Sequence, residues 1–246
     1  MSNPNTLGLY HFENNGADSS TYNNPITMWG TPTYSSSIYK FGNYSVHLPY
    51  GSIQPYTSIF PYQWTVDFWF YPDWTAMPQY QAGGYMFSCG TNTDPNHSSV
   101  QGIGLYAIIN YPLCYEIFLE VDMIGGAVDT KPIYIYRYDE HGNTVNAWYH
   151  IAAVSELIDT NSNPKPPSLN PPTLAVNLYL NGNSVDAPKN CTGYFPVLNN
   201  TMYFGAGEHG IEDFSSGPPG YYDELRISST ARWTSDFTPP TAPYSE

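Results

Sequence analysis

Three carboxylates lie close together in one predicted strand, at Glu116, Glu120 and Asp122. Residues two apart in a β-strand share a face, so all three are expected on the same side. At about 3.3 Å per residue, Glu116 and Glu120 are about 13 Å apart, and Glu120 and Asp122 are about 7 Å apart. Retaining glycosidases need carboxyl groups about 5–5.5 Å apart, whereas inverting enzymes accept a wider range. Because such pairs are common on solvated strands, we expect no catalysis here.

A second group of residues has the composition of a carbohydrate site. Such a site needs a flat aromatic ring for the C–H face of a sugar and a few planar polar groups for its hydroxyls. Two adjacent predicted loops supply both. The alternative is that these side chains cover the edge of the domain or pack on a neighbouring subunit. The residues concerned are Trp74, Tyr80, Tyr85, Asp94, Asn96 and His97.

Other catalytic chemistries find little support. No serine lies in a Gly-x-Ser-x-Gly elbow, and no pair of histidines has zinc-ligand spacing. The three cysteines, Cys89, Cys114 and Cys191, suggest neither a disulfide framework nor a paired metal motif. An odd number of cysteines favours folding in a reducing cytoplasm.

The overall charge argues against two classes of partner. The 246 residues include 7 Lys and Arg against 21 Asp and Glu, which gives a formal net charge of −14. Nucleic acids and anionic membranes are bound through clustered cations, so neither is expected as a partner. The sequence also contains no apolar run of the length that a membrane span requires. Aromatic residues make up 17% of the chain, which is ample material for a packed core.

The hydrophobic pattern predicts strands throughout. In residues 64–71, Trp64, Val66, Phe68 and Phe70 form one face of a strand. Asn181-Gly182 is a strong signal for a two-residue hairpin turn. We interpret the proline-rich stretch 156–172 as an elongated hairpin loop, because strand pattern resumes after it. The chain is therefore expected to form one domain over residues 1–246, with its core at about 7–240.

The last strand carries a recognisable motif. Tyr221, Asp223, Leu225 and Ile227 alternate with polar or aromatic residues, and Ala-Arg-Trp233 and Pro239-Pro240 follow. This block resembles the closing strand of the LamG-like jelly rolls in the concanavalin A-like lectin/glucanase superfamily, in particular copies found in bacteriophage virion proteins. The segments Leu7–Phe12, Trp64–Tyr71, Trp148–Val154 and Asn181-Gly182 resemble the same family. The resemblance implies an all-β, two-sheet antiparallel jelly-roll sandwich whose first and last strands lie side by side.

The resemblance also implies a metal site. LamG-like domains often hold a calcium ion between the opening loop and the closing strand, and calcium prefers carboxylate, amide and carbonyl oxygens. Carried over to this sequence, the ligands are Asp18 and Asp223, with Asn15 beside them. The alternative is that Asp18 caps its own turn and Asp223 accepts hydrogen bonds from that loop.

The superfamily also contains glucanases, one group of which carries Glu-x-Asp-x-x-Glu on a single strand. Here Glu120 and Asp122 match, but Gly125 occupies the acid/base position. We therefore expect a non-enzymatic structural or binding module of a phage particle, either a capsid decoration or a fibre-associated lectin-like protein. Its expected partners are other virion proteins, copies of itself or a cell-surface glycan, and its expected location is the virion surface. The alternatives are a free-standing glycan-binding protein and a polysaccharide-cleaving enzyme.

Overall fold

Two antiparallel β-sheets pack face to face in this protein. The computed structural model describes residues 5–49, 51–55, 62–79, 82–92, 100–123, 126–158, 171–193, 202–205 and 217–245. These residues form seventeen strands and no helix. The described part of the chain therefore has no helix that is long and apolar enough to cross a membrane.

The strands divide into a nine-stranded and an eight-stranded sheet. The nine-stranded sheet contains β1 (Thr6–Tyr10), β3 (Thr33–Ser35), β4 (Ser45–Leu48), β6 (Trp64–Pro72), β12 (Tyr149–Leu157), β13 (Thr173–Leu180), β14 (Asn183–Ser184), β15 (Lys189–Thr192) and β17 (Gly220–Ser228). The eight-stranded sheet contains β2 (Thr27–Gly30), β5 (Gly51–Gln54), β7 (Ala82–Asn92), β8 (Val100–Asn110), β9 (Cys114–Met123), β10 (Gly126–Asp129), β11 (Ile133–Tyr136) and β16 (Met202–Phe204).

The strand order makes the closing strand a central one. The nine-stranded sheet runs β14-β13-β12-β6-β17-β4-β3, and β1 also pairs with β17. The eight-stranded sheet runs β10-β9-β8-β7-β16-β5-β2, with β11 paired to β9. The first and last strands are therefore adjacent, and the predicted all-β jelly-roll sandwich is confirmed.

The core lies between the two sheets and follows the predicted alternation. In β6, Trp64, Val66, Phe68 and Phe70 are fully buried in it. The eight-stranded sheet contributes alternate residues of its long strands, because successive strand side chains point to opposite faces. These include Ile103, Leu105, Ala107, Ile109, Tyr115, Ile117, Leu119 and Val121.

The closing strand departs from the simple alternation predicted for it. Tyr222, rather than Tyr221, lies in the core with Leu225 and Ile227. The reason is a β-bulge between Asp223 and Arg226, where the register with β6 shifts. At Glu224 the backbone is left-handed, with φ of 54°, which is uncommon for a residue other than glycine. The bulge adds one residue and so exchanges the two faces of the strand.

A buried ion pair joins β17 to β6 on the outer face of the nine-stranded sheet. Arg226 donates two hydrogen bonds to Asp67, at 3.0 Å and 2.9 Å. His150 Nε2 lies 2.9 Å from the hydroxyl of Tyr244 and 3.5 Å from the Asp67 carboxylate. Burial tends to raise the pKa of Asp67, but the charge of Arg226 and the hydrogen bond of His150 hold that pKa below its ordinary value.

The segment after β17 covers this ion pair. The Tyr244 ring lies 4.2 Å from the Arg226 guanidinium, and Trp233 stacks on Phe237 at 3.9 Å. Trp233 and Phe237 pack against Ala152, Val154 and Tyr179 of the sheet. The Ala-Arg-Trp turn thus packs back on the sandwich.

Residues 156–172 connect two neighbouring antiparallel strands. β12 and β13 pair with Leu157 opposite Leu174. Residues 159–170, which make up most of the predicted proline-rich loop, lie outside the described part of the chain. At the other end of β13, the predicted turn Asn181-Gly182 has positive φ at both residues and leads into β14.

Replacing Arg226 by Met should destabilise the fold strongly. It would leave the Asp67 carboxylate buried without its bidentate partner, and breaking a buried pair in this way costs about 3–5 kcal/mol. Urea unfolding of the two proteins measures the difference. Lys189→Met, which removes the surface ion pair with Asp186, is the matched control and should change stability little. Similar losses in the two variants would contradict a special role for the buried pair.

Candidate functional site

A row of three aromatic side chains crosses the outer face of the eight-stranded sheet. Tyr85 of β7 pairs directly with Tyr106 of β8, and Tyr106 pairs with Phe118 of β9. The ring centroids are 5.0 Å and 5.5 Å apart along the row. All three side chains remain partly exposed, whereas the alternate residues of the same strands are buried. We call these three residues the aromatic row.

Two glycines and a bulge shape this row. A Cβ atom at Gly104 would overlap the ring of Tyr85, and one at Gly83 would overlap the hydroxyl of Tyr106. The tyrosine rings therefore lie across the sheet, over positions that have no side chain. The register of β7 shifts between Tyr85 and Phe87, and Met86 at this bulge is buried. Such bulges redirect side chains and are frequent next to functional sites.

A carboxylate flanks the aromatic row on each side. Glu120 accepts a hydrogen bond of 2.9 Å from the Tyr85 hydroxyl. Glu116 accepts hydrogen bonds from Asn110 Nδ2, at 3.2 Å, and from the Tyr134 hydroxyl, at 3.3 Å. Burial, together with the nearby Glu120 carboxylate, raises the pKa of Tyr85, so its hydroxyl stays protonated and can donate.

Two further carboxylates surround Glu120. Asp129 of β10 lies directly opposite Glu120, and Asp122 follows two residues along the same face of β9. Burial, with additional repulsion from Asp129 and Asp122, raises the pKa of Glu120. Burial and Asp129 likewise raise the pKa of Asp122. The described residues contain no group of three or more His, Cys, Asp or Glu side chains arranged to hold a metal ion.

Exposed tyrosines extend the face beyond Glu116. Tyr134 and Tyr136 of β11 stack on each other at 5.9 Å, and they are 42% and 56% exposed. Tyr134 pairs with Glu116 across the strands. The face therefore combines aromatic rings, which can contact the C–H groups of a sugar, with carboxylates and an amide that can bind its hydroxyls.

The structure separates the six residues predicted for a carbohydrate site. Tyr85 lies in the aromatic row. Trp74 does not contribute a free ring face, because it is only 5% exposed, stacks on Tyr115 at 5.0 Å and donates to the Val145 carbonyl at 2.8 Å. Tyr80, Asp94, Asn96 and His97 lie outside the described residues.

Asp18 of the predicted calcium site is hydrogen-bonded by its own loop. Its carboxylate accepts hydrogen bonds from the backbone N–H groups of Leu9, Ser20 and Asn24 and from the Ser20 hydroxyl, all at 2.8–2.9 Å. Asn15 closes a separate exposed turn, in which its side chain bonds the Glu13 carbonyl and the Ala17 N–H. These bonds match the alternative in which Asp18 caps its own turn.

Asp223 is bonded by a different segment. Its Oδ2 accepts hydrogen bonds from the backbone N–H groups of Lys40, at 2.8 Å, and Phe41, at 3.1 Å. The predicted donor was the opening loop that holds Asp18, so that part of the interpretation is wrong. Burial raises the pKa of Asp223 to about 7. Calcium binding at Asp18, Asn15 and Asp223 stays a prediction.

Comparison with solved structures places the fold. The chain is similar to domain 4 of AbnA, a GH43 extracellular arabinanase from Geobacillus stearothermophilus, whose structure is in complex with arabinotriose. The two chains are 20% identical with a TM-score of 0.54, and the match covers 92% of this chain and 93% of that chain. It is also similar to the botulinum neurotoxin serotype D/C binding domain, with 13% identity, a TM-score of 0.58, and coverage of 92% and 49%.

A third similar structure is botulinum neurotoxin type C, whose cell entry depends on interaction with two ganglioside molecules; the identity is 13%, the TM-score 0.54, and the coverage 92% and 48%. The chain thus spans about half the length of the neurotoxin chains. No protein-family model matches the sequence, and no curated protein matches it significantly. The similarities establish a β-sandwich jelly roll, while the LamG-like and bacteriophage parts of the resemblance stay predictions.

Sequence reasoning missed most of the face. Tyr106, Phe118, Tyr134 and Tyr136 were not singled out, because each lies in a strand whose alternate residues are core. The signal that could have found them was the set of aromatic residues at the outward positions of β8, β9 and β11. Such positions are usually polar when a strand face contacts water.

The raised pKa of Asp223 predicts a pH dependence of stability. A carboxyl with a pKa of about 7 in the folded state and about 3.9 when unfolded favours folding below pH 4. This contribution is lost as the pH rises to about 7, by about 1.4 kcal/mol per pH unit in that window. Asp223→Asn should remove the loss, as measured by urea unfolding at a series of pH values. Calcium bound at Asp223 would instead stabilise the protein at neutral pH and make stability sensitive to chelators. Parallel pH curves for the two proteins would contradict the assignment.

Proposed function

We propose that this chain is a non-enzymatic glycan-binding module and that the outer face of the eight-stranded sheet is its binding surface. The observation that carries the proposal is the aromatic row, Tyr85, Tyr106 and Phe118, flanked by Glu116 and Glu120. The similarity to a carbohydrate-complexed arabinanase domain and to neurotoxin binding domains is consistent with this proposal at the level of the fold.

The physical basis lies in how sugars are recognised. A pyranose or furanose ring presents C–H groups on one face and hydroxyls at its edge, so it contacts an aromatic ring and hydrogen-bonds to groups beside it. The aromatic row supplies the rings, and carboxylates on both sides supply acceptors. Glu116 and Glu120, about 13 Å apart along β9, are separated by more than one sugar unit. The surface therefore suits an oligosaccharide lying along the strand.

We further propose that the module is displayed on a phage particle, where other virion proteins or copies of itself hold it in place. The support is the resemblance of Gly220–Trp233, Trp64–Tyr71 and Trp148–Val154 to segments of phage virion domains. Mass spectrometry of purified particles tests this location. The same resemblance implies that Asp18 and Asp223 bind a calcium ion.

A polysaccharide-cleaving enzyme is the second candidate function, and one observation favours it. Asp129 lies directly opposite Glu120 on the neighbouring strand, where side chains have Cβ atoms about 4.5–5.5 Å apart. Side chains paired in this way can bring their carboxyl groups to the separation of about 5–5.5 Å that a retaining glycosidase uses. A reducing-sugar assay over a panel of polysaccharides separates the candidates. Hydrolysis that disappears in Glu120→Gln would establish the enzyme.

Replacing Tyr106 by Ala should weaken glycan binding at least about tenfold. The reason is that truncating a central aromatic anchor usually costs more than about 1–2 kcal/mol of binding free energy. A glycan array identifies a ligand first, and titration calorimetry then compares the variant with the parent. Phe118→Ala should act in the same direction, and Tyr85→Phe should remove only the hydrogen bond to Glu120.

Tyr22→Ala is the matched control, since Tyr22 is 49% exposed in the loop after β1, outside the eight-stranded sheet. Thermal melting of each variant shows whether the fold is retained. Equal affinities of folded Tyr106→Ala, folded Phe118→Ala and the parent would place binding on another surface.

A further inference from the structure

We infer that this face selects glycans by charge: it accepts uncharged and amino-sugar glycans and rejects those carrying carboxylate or sulfate groups. Glu120, Asp122 and Asp129 are assigned as the residues that determine this selection. The inference rests on the proposed function, since it concerns the ligand class of the same surface.

The charge composition of the eight-stranded sheet disfavours anionic ligands. The strands of the eight-stranded sheet contain four acidic residues, at Glu116, Glu120, Asp122 and Asp129. The same strands contain no Lys, Arg or His. An anionic ligand lying on this surface would therefore find no opposite charge in the sheet beneath it.

The described lysine and arginine side chains are engaged with other residues. Arg226 binds Asp67, Arg232 bonds to the Ser228 hydroxyl, and Lys40 lies over the Trp69 ring at 3.8 Å. Lys131 and Lys189 both pair with Asp186.

Arg137, which follows β11, lies 5.2 Å from the Tyr138 ring. Each of these lysine and arginine side chains thus contacts a residue outside the strands of the eight-stranded sheet, and the Nε atom of Arg137 is buried.

The hydrogen-bonding chemistry of the carboxylates favours ligands that donate hydrogen bonds. An ionised carboxylate only accepts hydrogen bonds, so its partner must donate. Sugar hydroxyls and ammonium groups are donors, whereas a uronate or sulfate group offers only acceptors at its charged end. Within the described part of the chain, Glu120 accepts a hydrogen bond from the Tyr85 hydroxyl, and it lies beside Asp122 and Asp129. Repulsion from Asp129 and Asp122, which adds to the effect of burial in raising the pKa of Glu120, would increase beside a ligand anion and decrease beside a ligand ammonium group.

The test compares oligosaccharides matched in length but different in charge. The probes are N-acetylglucosamine oligomers and galactan oligomers, which are uncharged, glucosamine oligomers, which are cationic, and galacturonate oligomers, which are anionic. We expect galacturonate oligomers to bind at least about tenfold more weakly than galactan oligomers, a factor that corresponds to about 1.4 kcal/mol. Glucosamine oligomers should bind more tightly than their acetylated counterparts at low salt, and added salt should reduce both differences by screening.

Glu120→Gln and Asp129→Asn should each reduce the discrimination against galacturonate, while Gln can still accept the hydrogen bond of Tyr85. The matched control is Glu156→Gln. Glu156 lies in β12 of the other sheet, and its replacement changes the net charge by the same amount. A change in discrimination shared by Glu156→Gln would assign the effect to the whole molecule and overturn the local assignment.

The outcomes also separate this inference from the proposed function. Binding of galacturonate oligomers as tight as that of galactan oligomers would overturn charge selection and leave glycan binding standing. If no oligosaccharide of any charge binds, the proposed function fails, and this inference fails with it.

Discussion

The Asp67–Arg226 ion pair is the interaction around which the nine-stranded sheet is organised. It joins the closing strand β17 to β6 at the middle of the sheet, under Tyr244. A buried charge is tolerated only when it is paired and hydrogen-bonded. The bulge at Glu224 keeps Leu225 and Ile227 in the core while Arg226 reaches Asp67, so the two sides of the strand depend on the same irregularity. Glu224 in turn accepts a hydrogen bond from the backbone N–H of Tyr244, which ties the end of the described chain to the bulge.

The two outer faces of the sandwich differ in what lies on them. The segment after β17 packs on the nine-stranded sheet, where Trp233, Phe237 and Tyr244 bury a polar network. On the eight-stranded sheet, the aromatic row stays partly exposed, and its Tyr85 hydroxyl donates a hydrogen bond to Glu120. The chain therefore uses aromatic residues in two ways, as a cover over one sheet and as an accessible surface on the other. Exposed aromatic side chains with polar neighbours mark binding surfaces more often than isolated apolar residues do.

The acidic character of the chain also has a local meaning. Taken from the sequence alone, a net charge of −14 predicts only that nucleic acids and anionic membranes are not partners. The fold concentrates part of that charge at one place, because Asp129 comes from β10 and pairs with Glu120 of β9. Three carboxylates thereby meet beside a row of aromatic rings, in a sheet whose strands lack basic residues. Part of the negative charge of the chain is therefore located on this one surface.

The sequence alone was sufficient for the fold class, the faces of β6, the turn at Asn181-Gly182 and the adjacency of the first and last strands. All of these follow from local alternation, turn chemistry or the resemblance of the closing strand. Tertiary structure alone decided the candidate site. Tyr106 lies 21 positions after Tyr85 in the sequence, and Phe118 lies 12 positions after Tyr106. Only the pairing register of β7, β8 and β9 makes them one row. Trp74 showed the opposite error, because it lies in a loop, as predicted, but packing against Tyr115 buries the ring that was expected to bind a sugar. Alternation along a strand states which residues share a face, but it does not state which strands are neighbours or what covers them, because both depend on contacts between distant parts of the chain.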